Sequence, residues 1–198
     1  KKISLDLKKI KSKKKNFSNF NFKKTPNLLG ILNLTPDSFS DGGKFNTKKR
    51  GVYHAVNLME SGADLIDVGG ESTRPFSDPV SLDEELSRVI PVIEGIRKKS
   101  DVCISIDTTK SVVASKALQV GASIINDVSA MEVDPLMADV AIQFNCPLII
   151  MHMKGTPKNM QDNPKYESLV SDIKDYLVSR IDFALSKGCL LYTSPSPR

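Results

Sequence analysis

The chain has 198 residues, 40% of them hydrophobic and 26% charged, with a net charge of +5. That balance is enough for one globular domain with a real core. No apolar run is long enough to span a bilayer, and no signal peptide is expected, because no apolar stretch follows the basic start. The charge is unevenly placed. Residues 1–24 carry ten lysines against one acid, Asp6, and so hold +9, leaving −4 on the rest. Residues 1–26, rich in Lys, Asn, Phe and Ser, read as a solvated leader or linker. A targeting segment or a weak nucleic-acid contact is the alternative. Arginine is absent from this stretch, which argues against a transit peptide, and no aromatic platform or fold motif stands behind nucleic-acid binding. The first residue is Lys rather than Met, which fits the edge of a fragment. Cys103, Cys146 and Cys189 are widely spaced and form no CxxC pair. They are expected to be reduced and structural, in a cytoplasmic protein or one of an organelle matrix.

From residue 28 onward, short apolar runs alternate with longer amphipathic stretches. The expected order is strand 28–32, helix 47–61, strand 65–68, helix 82–99, strand 102–106, helix 110–120, strand 123–125, helix 134–145, strand 148–151 and helix 166–187. The strands are rich in Ile, Val and Leu, as strands buried on both faces of a parallel sheet are. The second helix has the clearest pattern, with Leu82, Leu86, Val89, Ile90, Ile93 and Ile96 on one face. Ser81 is placed to cap it, with Glu84 three residues on. Gly62, Gly121 and Gly188 follow helix ends, where a left-handed cap is wanted. This βα alternation implies a parallel sheet with right-handed crossovers, either open or closed into a barrel. No GxGxxG follows the first strand, against the dinucleotide-binding version. Polar residues gather after all five strands: Asn33, then Glu71 to Arg74, Asp107, Asn126 with Asp127, and His152. Such a series fits the mouth of a barrel better than the single switch point of an open sheet.

Those clusters lie in five blocks. The first runs Gly30-Ile31-Leu32-Asn33-Leu34-Thr35-Pro36-Asp37-Ser38-Phe39-Ser40-Asp41-Gly42-Gly43. The second is Asp67-Val68-Gly69-Gly70-Glu71-Ser72-Thr73-Arg74-Pro75, where glycines allow close backbone approach and the Arg guanidinium offers a fork of donors for phosphate oxygens. The third is Ile104-Ser105-Ile106-Asp107-Thr108-Thr109-Lys110, the fourth Ile124-Ile125-Asn126-Asp127-Val128-Ser129, and the fifth Met151-His152-Met153-Lys154-Gly155-Thr156-Pro157. Singly, each has a bland reading: a turn, a surface ion pair, a helix cap. Together, from Leu28 to about Leu185, they resemble the dihydropteroate synthases, pterin-binding enzymes of the TIM-barrel class, the first block nearly residue for residue.

The resemblance implies an incomplete (β/α)₈ TIM barrel holding the first five βα units, with residues 27–188 as the pterin-binding domain. It implies a transferase of folate and tetrahydrofolate biosynthesis, a sulfonamide target, that joins 6-hydroxymethyl-7,8-dihydropterin diphosphate to p-aminobenzoate. Asn33 would hold Mg²⁺ and the diphosphate, and Thr73 and Arg74 would grip the diphosphate. Asp107 and Asn126 would hold the pterin, and Phe39 and Pro75 would line the p-aminobenzoate site. Asn33 and Arg74 are the catalytic candidates. The implied partners are these small molecules and a second copy of the chain, with neither nucleic acid nor membrane. His152 is expected in a hydrogen-bonded supporting role rather than as a general base, and His54 as structural. Phe76 stands where the family has Gly, which bears on that loop's shape. The family's sixth to eighth units are not matched, and residues 189–198, ending Thr-Ser-Pro-Ser-Pro-Arg, are expected to be a non-native tail. A barrel needs about 250 residues, so the 198-residue chain alone is expected to be poorly stable and inactive. The rival readings are a pterin-binding methyltransferase of the same superfamily, which has no use for Thr73 and Arg74, and an inactive pterin-binding remnant. A preceding pterin pyrophosphokinase domain is an open alternative.

Overall fold

A computed structural model describes residues 26–35, 44–72, 79–155 and 164–189, with side chains from residue 48 in the second stretch. In chain order the elements are β1 (Leu29–Asn33), α1 (Lys44–Glu60), β2 (Leu65–Gly69), α2 (Leu82–Arg97), β3 (Cys103–Asp107), α3 (Ser111–Gln119), β4 (Ile124–Asp127), α4 (Met137–Gln143), β5 (Leu148–Ile150) and α5 (Leu169–Lys187). All ten expected elements form. Ser81 caps α2 by accepting a hydrogen bond from the Glu84 backbone N–H at 3.3 Å. Glu84 does not complete the reciprocal half of a capping box. Its carboxylate pairs with Arg88, one turn on.

The five strands are parallel and lie in the order β1-β2-β3-β4-β5. That order separates the two architectures left open by the sequence. A doubly wound sheet reverses its strand order at a switch point; here every crossover steps the same way. Right-handed crossovers that never reverse put all helices on one side, and the sheet is an arc of a barrel wall. The packing agrees. Leu32, Ile66, Val68, Ile104, Ile106 and Ile125 are fully buried on the helix side. They form one core with residues such as Val52, Val89, Ile93 and Val113. Consecutive helices also pack on one another, α1 on α2, α2 on α3, and on to α5.

The concave side differs. A small second cluster of Leu65, Cys103 and Ile124 lines its base. Around it, Leu29, Ile31, Ile149 and Met151 are exposed, Ile31 at 59%. The expectation of burial on both faces therefore holds for β2 and β3 but not for β1, which alternates between exposed and buried positions. A barrel interior is covered by the opposite wall, and β1 and β5 are edges among the described residues. Four strands also run one or two residues further than the apolar runs predict, which keeps Asn33, Gly69, Asp107 and Asn126 within the ladder. Backbone pairing with the neighbouring strand decides where a strand ends, and it continues past the last apolar side chain.

Candidate active site

Parallel registers place the chemistry. Asn33 is paired with Gly69, Gly69 with Asp107, and Asp107 with Asn126. These four residues therefore make one continuous row across four strands, at the C-terminal ends and on the concave side. One pleat lower runs a second row, Ile31, Asp67, Ser105 and Ile124. Adjacent strands are about 4.8 Å apart, so the upper row spans about 14 Å from β1 to β4.

Gly69 is the centre of the upper row. A Cβ built there would lie 3.4 Å from Asp107 Oδ2 and 3.5 Å from Asn33 Oδ1. The missing side chain leaves a notch bounded by a carboxylate oxygen on one side and an amide oxygen on the other. Asp107 Oδ1 is buried and has no hydrogen-bond partner among the described residues. An oxygen in that state is costly unless a ligand satisfies it. Burial pushes the Asp107 carboxyl up to about 7, reinforced by the neighbouring carboxylates of Asp67, Glu85, Asp127 and Glu71.

The lower row supports the upper. Asp67, 6% exposed, accepts hydrogen bonds from Ser105 Oγ and, at 3.1 Å, from Asn126 Nδ2. Burial raises its carboxyl above the ordinary value, and these two hydrogen bonds oppose the rise. Beyond the row, Lys110 Nζ donates to Glu71 and to the fully buried Glu85. Burial alone would lower the Lys110 ammonium, but the hydrogen bonds and charges of the two glutamates overcome it and hold it above its usual value. The second oxygen of Glu71 accepts from the Val80 backbone N–H at 3.2 Å. Asp127 accepts from the Ser129 N–H and Oγ and from the Met131 N–H. It thereby holds a tight turn in which Ala130 and Met131 adopt positive φ.

A model of the family described as "Pterin binding enzyme" matches residues 29–189. The chain belongs to the pterin-binding enzymes. It is similar to the dihydropteroate synthase of Synechocystis, 43% identical over 171 residues, which are 86% of this chain and 59% of that protein. It superposes on the dihydropteroate synthase of Yersinia pestis, solved with a sulfonamide drug complex, with a TM-score of 0.77 at 41% identity, covering 85% of this chain and 61% of the other. The Xanthomonas albilineans dihydropteroate synthase, solved with 4-aminobenzoic acid, gives 0.75 at 44% identity, covering 82% and 57%. The chain thus spans less than two thirds of the length of these pterin-binding enzymes.

Of the residues singled out from the sequence, Asn33, Asp107 and Asn126 fall together in the upper row. Thr73, Arg74, Pro75 and Phe39 lie outside the described residues. His152 is half-buried beyond β5, edge-on to Tyr176 with ring centroids 4.8 Å apart. His54 is exposed on α1. Cys103 is buried and Cys146 and Cys189 half-buried, all as free thiols, and burial pushes Cys103 up to about 11 and Cys146 to about 12. No helix among the described residues is long and apolar enough to cross a membrane. Sequence reasoning passed over Asp67, Ser105, Lys110 and Glu85 as site residues, and named Glu71 only as part of the polar cluster after the second strand. For Asp67 and Ser105 a signal was present: each is a polar residue inside an apolar strand, two positions before a concave-side position. Glu85 gave none, since a Glu in a first helical turn ordinarily faces solvent.

Proposed function

We propose that the protein is a dihydropteroate synthase, condensing 6-hydroxymethyl-7,8-dihydropterin diphosphate with p-aminobenzoate to give 7,8-dihydropteroate and diphosphate. The observation that carries this reading is the upper row. Asn33 and Asp107 border the Gly69 notch and Asn126 is next in the same row, with a buried oxygen of Asp107 unpartnered among the described residues. The pterin edge offers adjacent ring N–H and amino donors, and a carboxylate accepts from both. Asn126 would complete the edge, and Thr73 and Arg74 would hold the diphosphate. Phe39 and Pro75 would wall the p-aminobenzoate. Asn33 and Arg74 would act on the departing group, because the chemistry asks chiefly for positioning of the amine and neutralisation of leaving charge. No side-chain nucleophile is required.

The donor set near Gly69 fits Mg²⁺, which takes hard oxygen ligands and retains waters; Asn33 Oδ1 would be its protein ligand. When bound, the ion would neutralise diphosphate charge. The proposed setting is the cytoplasm or an organelle matrix, with the protein as a homodimer and small molecules as its other partners. A methyltransferase of the same superfamily would share the Asp107 and Asn126 positions but would have no use for Thr73 and Arg74.

The test is an assay of diphosphate release by the purified full-length protein. Release should require both substrates and Mg²⁺, and Arg74→Ala should chiefly damage use of the diphosphate substrate. Tight pterin binding without diphosphate release would instead favour the inactive remnant. Methyl transfer would favour the rival enzyme.

A further inference from the structure

Resting on that reading of the upper row, we infer that Asp67 is a positioning residue: it fixes which end of the Asn126 side-chain amide faces the ligand. An Asn amide carries a donor and an acceptor of nearly equal size, and a half-turn about its last bond exchanges them. A site that reads a heterocycle edge through an Asn must therefore determine that rotation. Asp67 does so by chemistry. An ionised carboxylate can only accept, and the Asp67 oxygens accept from Ser105 Oγ and Asn126 Nδ2. One N–H of the Asn126 amide is thereby committed to Asp67, which turns Oδ1 toward the ligand. Asp107, the next residue along the row, also offers oxygens, one of them buried and unpartnered among the described residues. Asn126 Oδ1 and the oxygens of an ionised Asp107 together offer acceptors side by side, which favours a ring edge carrying N–H and amino donors.

The burial of Asp67 adds weight. It is 6% exposed on the concave side of β2, where a packed core would favour an apolar residue. A carboxylate there costs desolvation, yet it is in neither of the ion pairs of Lys110 and shares its oxygens with two neutral donors. Ser105, below the row, serves to hold the carboxylate in place.

The experiment is a double-mutant cycle on the full-length protein, read by titration with 6-hydroxymethylpterin. Asp67→Asn, nearly isosteric, should weaken binding about tenfold or more, because the Asn126 amide is free to turn. Asn126→Asp should also weaken it, through two facing carboxylates. The exchanged pair, Asp67→Asn with Asn126→Asp, should recover to within about threefold of the original. The amide introduced on β2 would donate to the carboxylate introduced on β4, and an oxygen would again face the ligand. A merely structural role predicts no such recovery, because both single changes would add. Equal affinity of Asp67→Asn and the unsubstituted protein, or an exchanged pair as weak as the product of the singles, would overturn the inference. Should Asp67→Asn fail to fold, Ser105→Ala replaces it: a several-fold loss supports the role, and unchanged affinity rejects it. Failure of the unsubstituted protein to bind the pterin would remove the pterin reading itself, and this inference with it.

Discussion

At the scale of single residues, the site is governed by what is missing beside Asp107. A carboxyl pushed up to about 7 by burial and neighbouring acids carries a proton in the folded chain that it would have lost in the unfolded one. The folded state therefore binds more protons between about pH 4 and pH 7. The stabilisation is fully present below the unfolded value and is lost as pH rises through the folded one. Asp107→Asn cannot titrate, so its stability relative to the unsubstituted chain should improve as pH rises from 5 to 8. Urea midpoints at the two pH values measure this, and an unchanged gap would contradict it. Gly69 poses the complementary test. An added Cβ meets Asp107 and Asn33 only at ordinary contact distance. Gly69→Ala should therefore fold with a stability change within about 1 kcal/mol. It should still weaken 6-hydroxymethylpterin binding by filling the notch, which a titration beside a urea curve will separate.

At the scale of elements, β2 and the starts of α2 and α3 are tied by Lys110 between Glu71 and Glu85. Glu85 is fully buried, and its other oxygen has no partner among the described residues. Removing the ammonium leaves a buried charge uncompensated, which costs far more than losing a surface pair. Lys110→Met should destabilise by about 3 kcal/mol, and adding Glu85→Gln should return much of that. Stability equal to the original in the single variant would refute the tie. The elements were legible because the apolar runs, the Ser81 cap and the glycines after helices each carry a local physical cause. Gly62, Gly121 and Gly188 do adopt positive φ. Strand ends were less legible, since Asn33, Asp107 and Asn126 are polar and only pairing with a neighbour retains them. The site was legible in its row of polar residues. Its support was not, because the Asp67–Asn126 bond joins residues 59 apart in the chain and depends on register alone.

At the scale of the molecule, the concave face decides how the 198-residue chain behaves by itself. Leu29, Ile31, Ile149 and Met151 are exposed there, and β1 and β5 are edges among the described residues. Exposed apolar side chains on unpaired strand edges promote association. The purified 198-residue chain should bind a hydrophobic dye such as ANS and grow in apparent mass with concentration. Monodisperse behaviour without dye binding would count against this.

The sequential strand order has a kinetic side. Leu29 meets Leu65, Leu65 meets Cys103, Ser105 meets Ile124 and Ile125 meets Leu148, so every rung of the ladder joins one βα unit to the next. No part of the wall built so far waits for a distant segment. A ribosome releasing this chain could let the sheet grow strand by strand behind it. Of the upper row, Asn126 would be the last residue to arrive, so the cradle would take shape before β5 is added.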